Sequence, residues 1–151
     1  MGWLEKFVAE SNRIEGIIRT PKEAEINIHE WFLEQEAVGI DSLQMIVTTM
    51  APGHRLRDQV GLDVMIGNHL PPLGGPDIRP MLDIILDEVN KGGDPYKTHH
   101  LYETLHPFTD GNGRSGRALW LWSMNKNKQL HYVTKIGFLH NWYYQSLQER
   151  Q

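Results

Sequence analysis

The chain has 151 residues, 40% apolar and 23% charged, with a net charge of −4 and no cysteine. That length and balance suit one globular domain with its own core. They give no electrostatic case for nucleic acid or an anionic membrane, and they exclude disulfides and thiolate metal sites. The start, Met1-Gly2-Trp3-Leu4-Glu5-Lys6, is not a secretory signal. Lys6 stands where a myristoylation motif needs a small hydroxyl residue, and no apolar run reaches membrane-spanning length. The expectation is a cytoplasmic protein with no nucleic-acid or membrane partner. No repeat, low-complexity tract or linker divides residues 1–151 into more than one domain.

Trp3 to Ile18 has helical spacing, with Leu4, Phe7, Val8, Ile14 and Ile17 near one face. Ser11 and Glu15 share another face, which on its own reads as solvated polar surface. Thr20-Pro21-Lys22-Glu23 forms a capping box with proline at the first helical position. It opens a helix to about Glu36 that buries Ile26, Ile28, Trp31, Phe32 and Leu33. Asp41-Ser42-Leu43-Gln44 starts another, to about Met50, with Leu43, Ile46, Val47 and Met50 inward. Pro52-Gly53 ends it. From Ala51 to Pro72 the helical period is lost, and short apolar pieces are broken by glycine; over 53–68 an irregular β-hairpin is expected.

Pro71 to Pro76 is a connector. Asp77 then caps a helix to about Lys91, with Met81, Leu82, Ile84, Ile85 and Val89 inside and Pro80 in its first turn. Gly92-Gly93 ends it, and Asp94-Pro95 opens the next, to about Leu105. This helix carries His99 and His100, which a helix points about 100° apart. With His106 they read as structural histidines rather than a metal cluster. Gly113 to about Lys126 is apolar nearly all round, the mark of a central, buried helix. Asn125 to Gln129 is a polar break before a last helix, Thr134 to about Gln148, with Ile136, Phe138, Leu139, Trp142, Tyr143 and Leu147.

The chemistry concentrates in His106-Pro107-Phe108-Thr109-Asp110-Gly111-Asn112-Gly113-Arg114-Ser115-Gly116-Arg117. A glycine turn here opens a helix, whose first N–H groups have no internal partner and suit an anion. Glycines let the backbone close around that anion. Arg114 and Arg117 lie three apart, on one face of the first turn. Two guanidinium forks over a backbone nest suit an extended polyphosphate. His106, ahead of the nest, can take a proton from a hydroxyl near neutral pH. Asp110 can hold Mg²⁺ bridging phosphate oxygens. Phe108 is the anchor that buries the loop.

His106 to Arg117 matches, position for position, the signature His-x-Phe-x-Asp/Glu-Gly-Asn-Gly-Arg-x-x-Arg, and by it the chain resembles the Fic family. The resemblance implies an all-α Fic fold: a helical bundle around a central motif-bearing helix, with a small β-hairpin flap. It also implies transfer of AMP from ATP to a hydroxyl side chain of a target protein. The kinase branch of the family, Doc, departs from the signature after the Asp; this sequence does not. Ser11-Asn12-Arg13-Ile14-Glu15-Gly16 looks like the family's inhibitory motif, Ser/Thr-x-x-x-Glu-Gly/Asn. Residues 1–18 would then be an inhibitory helix whose Glu15 pairs with Arg117 and denies it to the γ-phosphate.

The run Val64-Met65-Ile66-Gly67 is similar to the Fic flap, whose edge pairs with the target backbone by β-augmentation. Tyr143-Tyr144 followed by Leu147 resembles the end of Fic cores, which makes Tyr144 the candidate against adenine. The implied cofactors are ATP and Mg²⁺. They would be held by Gly111, Asn112, Gly113, Arg114, Arg117 and Tyr144, with Asp110 on the metal and His106 as base. The implied partner is a protein bearing a Ser, Thr or Tyr hydroxyl; self-modification and a homo-oligomer are compatible with the same reading. Two alternatives use the same residues: removal of AMP with Glu15 orienting water, and a nucleotide-binding regulatory module without turnover.

Overall fold

The computed structural model describes residues 2–131 and Val133. The expected last helix and Tyr144 lie outside the described residues. Among the described residues six helices are seen: α1 (Trp3–Ile14), α2 (Glu23–Leu33), α3 (Ile40–Met50), α4 (Ile78–Asn90), α5 (Pro95–Leu105) and α6 (Asn112–Lys126). Among the described residues none is long and apolar enough to cross a membrane.

The all-round apolar pattern of α6 makes it the axis of the bundle. Every residue from Arg114 to Met124 is buried, and α6 packs against α1, α2, α3 and α5. Its Ala118, Leu119 and Trp122 join the larger core with Val8, Phe32, Leu43, Ile46, Val47, Leu82 and Val89. Its Trp120, Leu121 and Met124 form a second cluster with Phe7 and Val133. The inward residues expected of α3 are all buried. On α4, Ile78 and Leu86 are buried, whereas Met81 and Ile84 face solvent. The helix buries only the stripe of positions 78, 82, 85, 86 and 89, because α5 is its chief neighbour and one neighbour covers one face.

The end of α1, the start of α2 and the burial of Trp31 differ from the sequence reading. α1 stops at Ile14 rather than Ile18, in a Schellman turn: Gly16 N–H donates to Arg13 O at 2.9 Å and Ile17 N–H to Asn12 O at 3.0 Å. Gly16 has φ 79 and nothing near its Cβ position, so it is the left-handed cap and not a point of close approach. α2 starts at Glu23, and Glu25, not Glu23, reaches back to the Lys22 N–H at 2.7 Å. Arg19 grips the same carboxylate through both nitrogens, at 2.8 and 3.1 Å, and this holds Glu25 in place. Trp31, expected inside, lies at the surface with 37% exposure.

The β-hairpin expected over 53–68 is absent. Two isolated bridges stand in its place, Leu56 with Phe108 and Ile66 with His69. Ile66 and His69 exchange backbone hydrogen bonds at 3.0 and 2.8 Å around Gly67-Asn68, a two-residue turn with no ladder behind it. Asp63 accepts the Gly74 N–H instead, at 2.8 Å, and Pro71-Pro72 has no N–H to extend the pairing. Leu62 O occupies the space where a Cβ at residue 74 would lie, so only glycine fits.

Candidate active site

The signature loop is held from both ends and from beneath. α5 ends at His106, whose left-handed backbone (φ 52, ψ 64) turns the chain out of the helix. Its N–H still donates to Tyr102 O at 2.9 Å. A non-glycine residue in this region carries strain that its surroundings must hold. Arg57 supplies that hold. It is fully buried, and its guanidinium donates to His106 O (2.7 Å), Leu105 O (2.9 Å) and Leu62 O (3.1 Å). Arg57 N–H donates to Pro107 O and Thr109 N–H to Arg55 O, at 2.9 and 2.8 Å. Burial lowers the Arg57 pKa from its ordinary value, with Asp63 acting in the opposite direction.

Inside the loop, Phe108 is fully buried as its anchor. Asn112 clips the turn shut: its Oδ1 accepts the Phe108 N–H and its Nδ2 donates to Phe108 O, both at 2.8 Å. The Asn112 side chain is thus spent on the loop. Gly111 has φ 81, and a Cβ there would lie 3.2 Å from the Ala51 Cβ. Both observations require glycine.

Among the described residues no side chain caps the start of α6. Over it lies the carboxylate of Glu15. A Cβ on Gly113 would stand 2.6 Å from Glu15 Oε2 and 3.1 Å from Arg117 Nη1, so glycine is what lets these groups reach the helix end. Arg117, 1% exposed, donates from Nη2 to Glu15 Oε2 at 2.7 Å and to Ser11 O at 3.0 Å, and from Nε to Ser11 Oγ at 2.7 Å. Ser11 is fully buried, while the Glu15 side chain retains 35% exposure. Arg114 lies on the other side of the turn. Its Nη1 donates to Met50 O, the last carbonyl of α3, and its Nε is buried without a hydrogen-bond partner among the described residues.

Asp110 stands at the mouth, 59% exposed. Its Oδ1 accepts the Gly111 N–H at 2.7 Å. His54 Nε2 lies 3.8 Å from Oδ2, and His54 Nδ1 lies 2.9 Å from Thr109 Oγ1. An exposed carboxylate held by its own loop beside an uncapped helix start fits a divalent cation shared with phosphate oxygens. His99 is buried elsewhere, its Nδ1 3.2 Å from Gly116 O. Among the described residues no three His, Asp or Glu side chains converge as a metal site.

Ser11, Glu15, Gly113 and Arg117 therefore meet at one point, and Asp110 and Gly111 flank it. Gly16 does not take part. Val64 and Ile66 are half-buried and Met65 and Gly67 exposed. Their turn is tied to α5 by His69 Nε2, 3.0 Å from Thr104 O, two residues before His106. Sequence reasoning passed over Arg57 and His54, which sit in the segment without period. Their partners lie about fifty positions away, at 105–110. Residues 78–124, from the start of α4 through the signature into α6, match the Fic/DOC family.

Proposed function

We propose that the protein is an AMP-transferring enzyme held off by its own Glu15. The observation that carries this reading is the Glu15 carboxylate, paired with Arg117 and seated over the uncapped start of α6. There a carboxylate of the chain stands in for the terminal phosphate of a nucleotide. The helix end, the glycines and Arg117 already hold an anion, and removing that anion would leave the same donors for a polyphosphate. The residues 1–151 are read as one domain, with 1–18 inhibitory and 106–117 as the active-site loop.

On this reading ATP lies along Gly111, Asn112 and Gly113. Arg117 takes the γ-phosphate, and Arg114 takes the β-phosphate region through the atoms that Met50 does not use. Mg²⁺ on Asp110, when bound, neutralises phosphate charge. Tyr144 would border the base, and the segment 64–67 would line up the target backbone. His106 accepts the proton of the target hydroxyl as its oxygen attacks the α-phosphorus. The bond from that phosphorus to the bridging oxygen breaks, and pyrophosphate leaves. General-base assistance of this kind contributes roughly 10²–10⁴-fold, the rest coming from position and fixed charge.

The test is incubation of wild type and Glu15→Gly with ATP labelled on the base or on the γ-phosphate. Base label alone should appear on protein, and much more of it with Glu15→Gly. His106→Ala should abolish transfer while ATP still binds, Asp110→Ala should lose the metal-dependent activity, and Glu15→Gly should gain little in an Arg117→Ala background. Label from the γ-phosphate would make the enzyme a kinase. Loss of an AMP-removing activity on Glu15→Gly would assign the reverse reaction. No turnover at all would leave a binding module.

A further inference from the structure

We propose that His54 is a second protein ligand of the divalent cation held at Asp110, and that it tilts the site toward transition metals over Mg²⁺. The proposal rests on the reading of Asp110 as a metal ligand and adds a residue to it.

The backbone of His54 is fixed on both sides: its N–H donates to Ala51 O at 3.3 Å, and its carbonyl accepts from Gln44 Nε2 at 3.2 Å. One ring nitrogen, Nδ1, is tied to Thr109 Oγ1 at 2.9 Å. That hydroxyl also accepts the Arg55 N–H at 3.2 Å, and it retains a second lone pair for an N–H from Nδ1. With its hydrogen on Nδ1, the imidazole presents the bare lone pair of Nε2. This is how metal-binding histidines are commonly oriented, with the distal nitrogen donating to a neighbouring oxygen. Nε2 faces Asp110 Oδ2 at 3.8 Å.

That spacing is too long for a hydrogen bond. Two ligands bound side by side at about 2.0–2.2 Å from one cation stand roughly 3.0–3.4 Å apart. A small side-chain adjustment would bring both donors onto one ion, and both side chains are open to solvent, at 41% and 59% exposure. The other Asp110 oxygen is engaged by Gly111 N–H, which turns Oδ2 toward the gap. A pure oxygen site suits Mg²⁺, whereas an added imidazole suits first-row transition cations.

The probe is Mn²⁺ with inorganic tripolyphosphate, which contains no nitrogen, on the full chain carrying Glu15→Gly and ¹⁵N-labelled at histidine. Pulsed electron paramagnetic resonance should detect a ¹⁵N coupling to bound Mn²⁺. His54→Ala should erase the coupling and weaken Mn²⁺ binding about tenfold or more, with Mg²⁺ binding changed far less. Bound Mn²⁺ that depends on Asp110 but shows no ¹⁵N coupling overturns the role of His54 and leaves the Asp110 reading standing. A coupling that survives His54→Ala overturns it too, since another histidine is then the ligand. Mn²⁺ bound as tightly by Asp110→Ala as by its parent removes the metal reading itself, and the proposal with it.

Discussion

At the scale of single residues, the clamp on Arg117 is built from unequal parts, and they can be separated. Ser11 Oγ accepts Arg117 Nε inside a fully buried contact. Ser11→Ala leaves that N–H without its acceptor, which costs roughly 1–3 kcal/mol. Glu15 still covers Gly113 in the variant. Urea denaturation should therefore report the loss of stability, while AMP labelling should rise less than with Glu15→Gly. Arg57 is the second test. Arg57→Met strands three carbonyl oxygens, those of Leu62, Leu105 and His106, and should lower the unfolding free energy by roughly 3–5 kcal/mol. Arg57→Lys, which keeps a charge but lacks the fork, should fall between. Of these residues Arg117 was legible in the signature, and Ser11 and Glu15 only through resemblance, because a Ser/Glu pair four apart is ordinary surface; the hold that Arg57 supplies was not legible. Asn112 was legible as part of the signature but not in its role. Nothing in the order of residues shows that its side chain closes on Phe108.

At the scale of elements, periodicity identified what the bundle buries from all sides and failed where burial is one-sided. α3 and α6 were readable because their apolar positions match their neighbours; Trp31, Met81 and Ile84 were not, because an exposed apolar residue has the same letter as a buried one. The flap failed for another reason: apolar pieces broken by glycine leave open which backbone each N–H will choose, and here they chose the signature loop and Asp63. The α1–α2–α6 corner supplies a pH test. His29 on α2 is 1% exposed, edge-on to Phe7 with ring centroids 6.3 Å apart, and its Nδ1 lies 2.7 Å from Glu25 O. Burial, above all, holds its pKa below the ordinary 6.5; the Glu25 carbonyl and carboxylate oppose this, and Arg117 adds to it. The unfolded chain thus takes up the proton first. The stability that neutral His29 contributes is full above pH 6.5 and is lost as pH falls through its folded value. The unfolding free energy of wild type minus that of His29→Gln, measured from pH 8 to pH 5, should decline below about pH 6.5. A flat difference would mean that His29 is not buried neutral.

At the scale of the whole molecule, α1 is part of the core rather than a strap laid over it. Val8 is fully buried in the main cluster with Phe32 and Leu43, and Phe7 is buried in the second cluster with Trp120 and Leu121. Each such side chain contributes roughly 1.5–3 kcal/mol. Deleting residues 1–18 would remove both, together with the partial burial of Leu4 and Ile14, for a loss of about 5 kcal/mol or more. A domain of this kind has only about 5–15 kcal/mol in all. Substituting Glu15, by contrast, touches a side chain that is one-third exposed, and leaves Phe7 and Val8 where they are. The two ways of removing the Glu15 carboxylate should therefore diverge. Glu15→Gly should melt within several degrees of wild type and label strongly. The deletion should melt about 10–20 °C lower and, although its α6 start is equally uncovered, yield less labelled protein because less of it stays folded. If the deletion keeps the melting temperature of wild type and labels as well as Glu15→Gly, α1 is a detachable strap, and the core contacts of Phe7 and Val8 do not hold the bundle together.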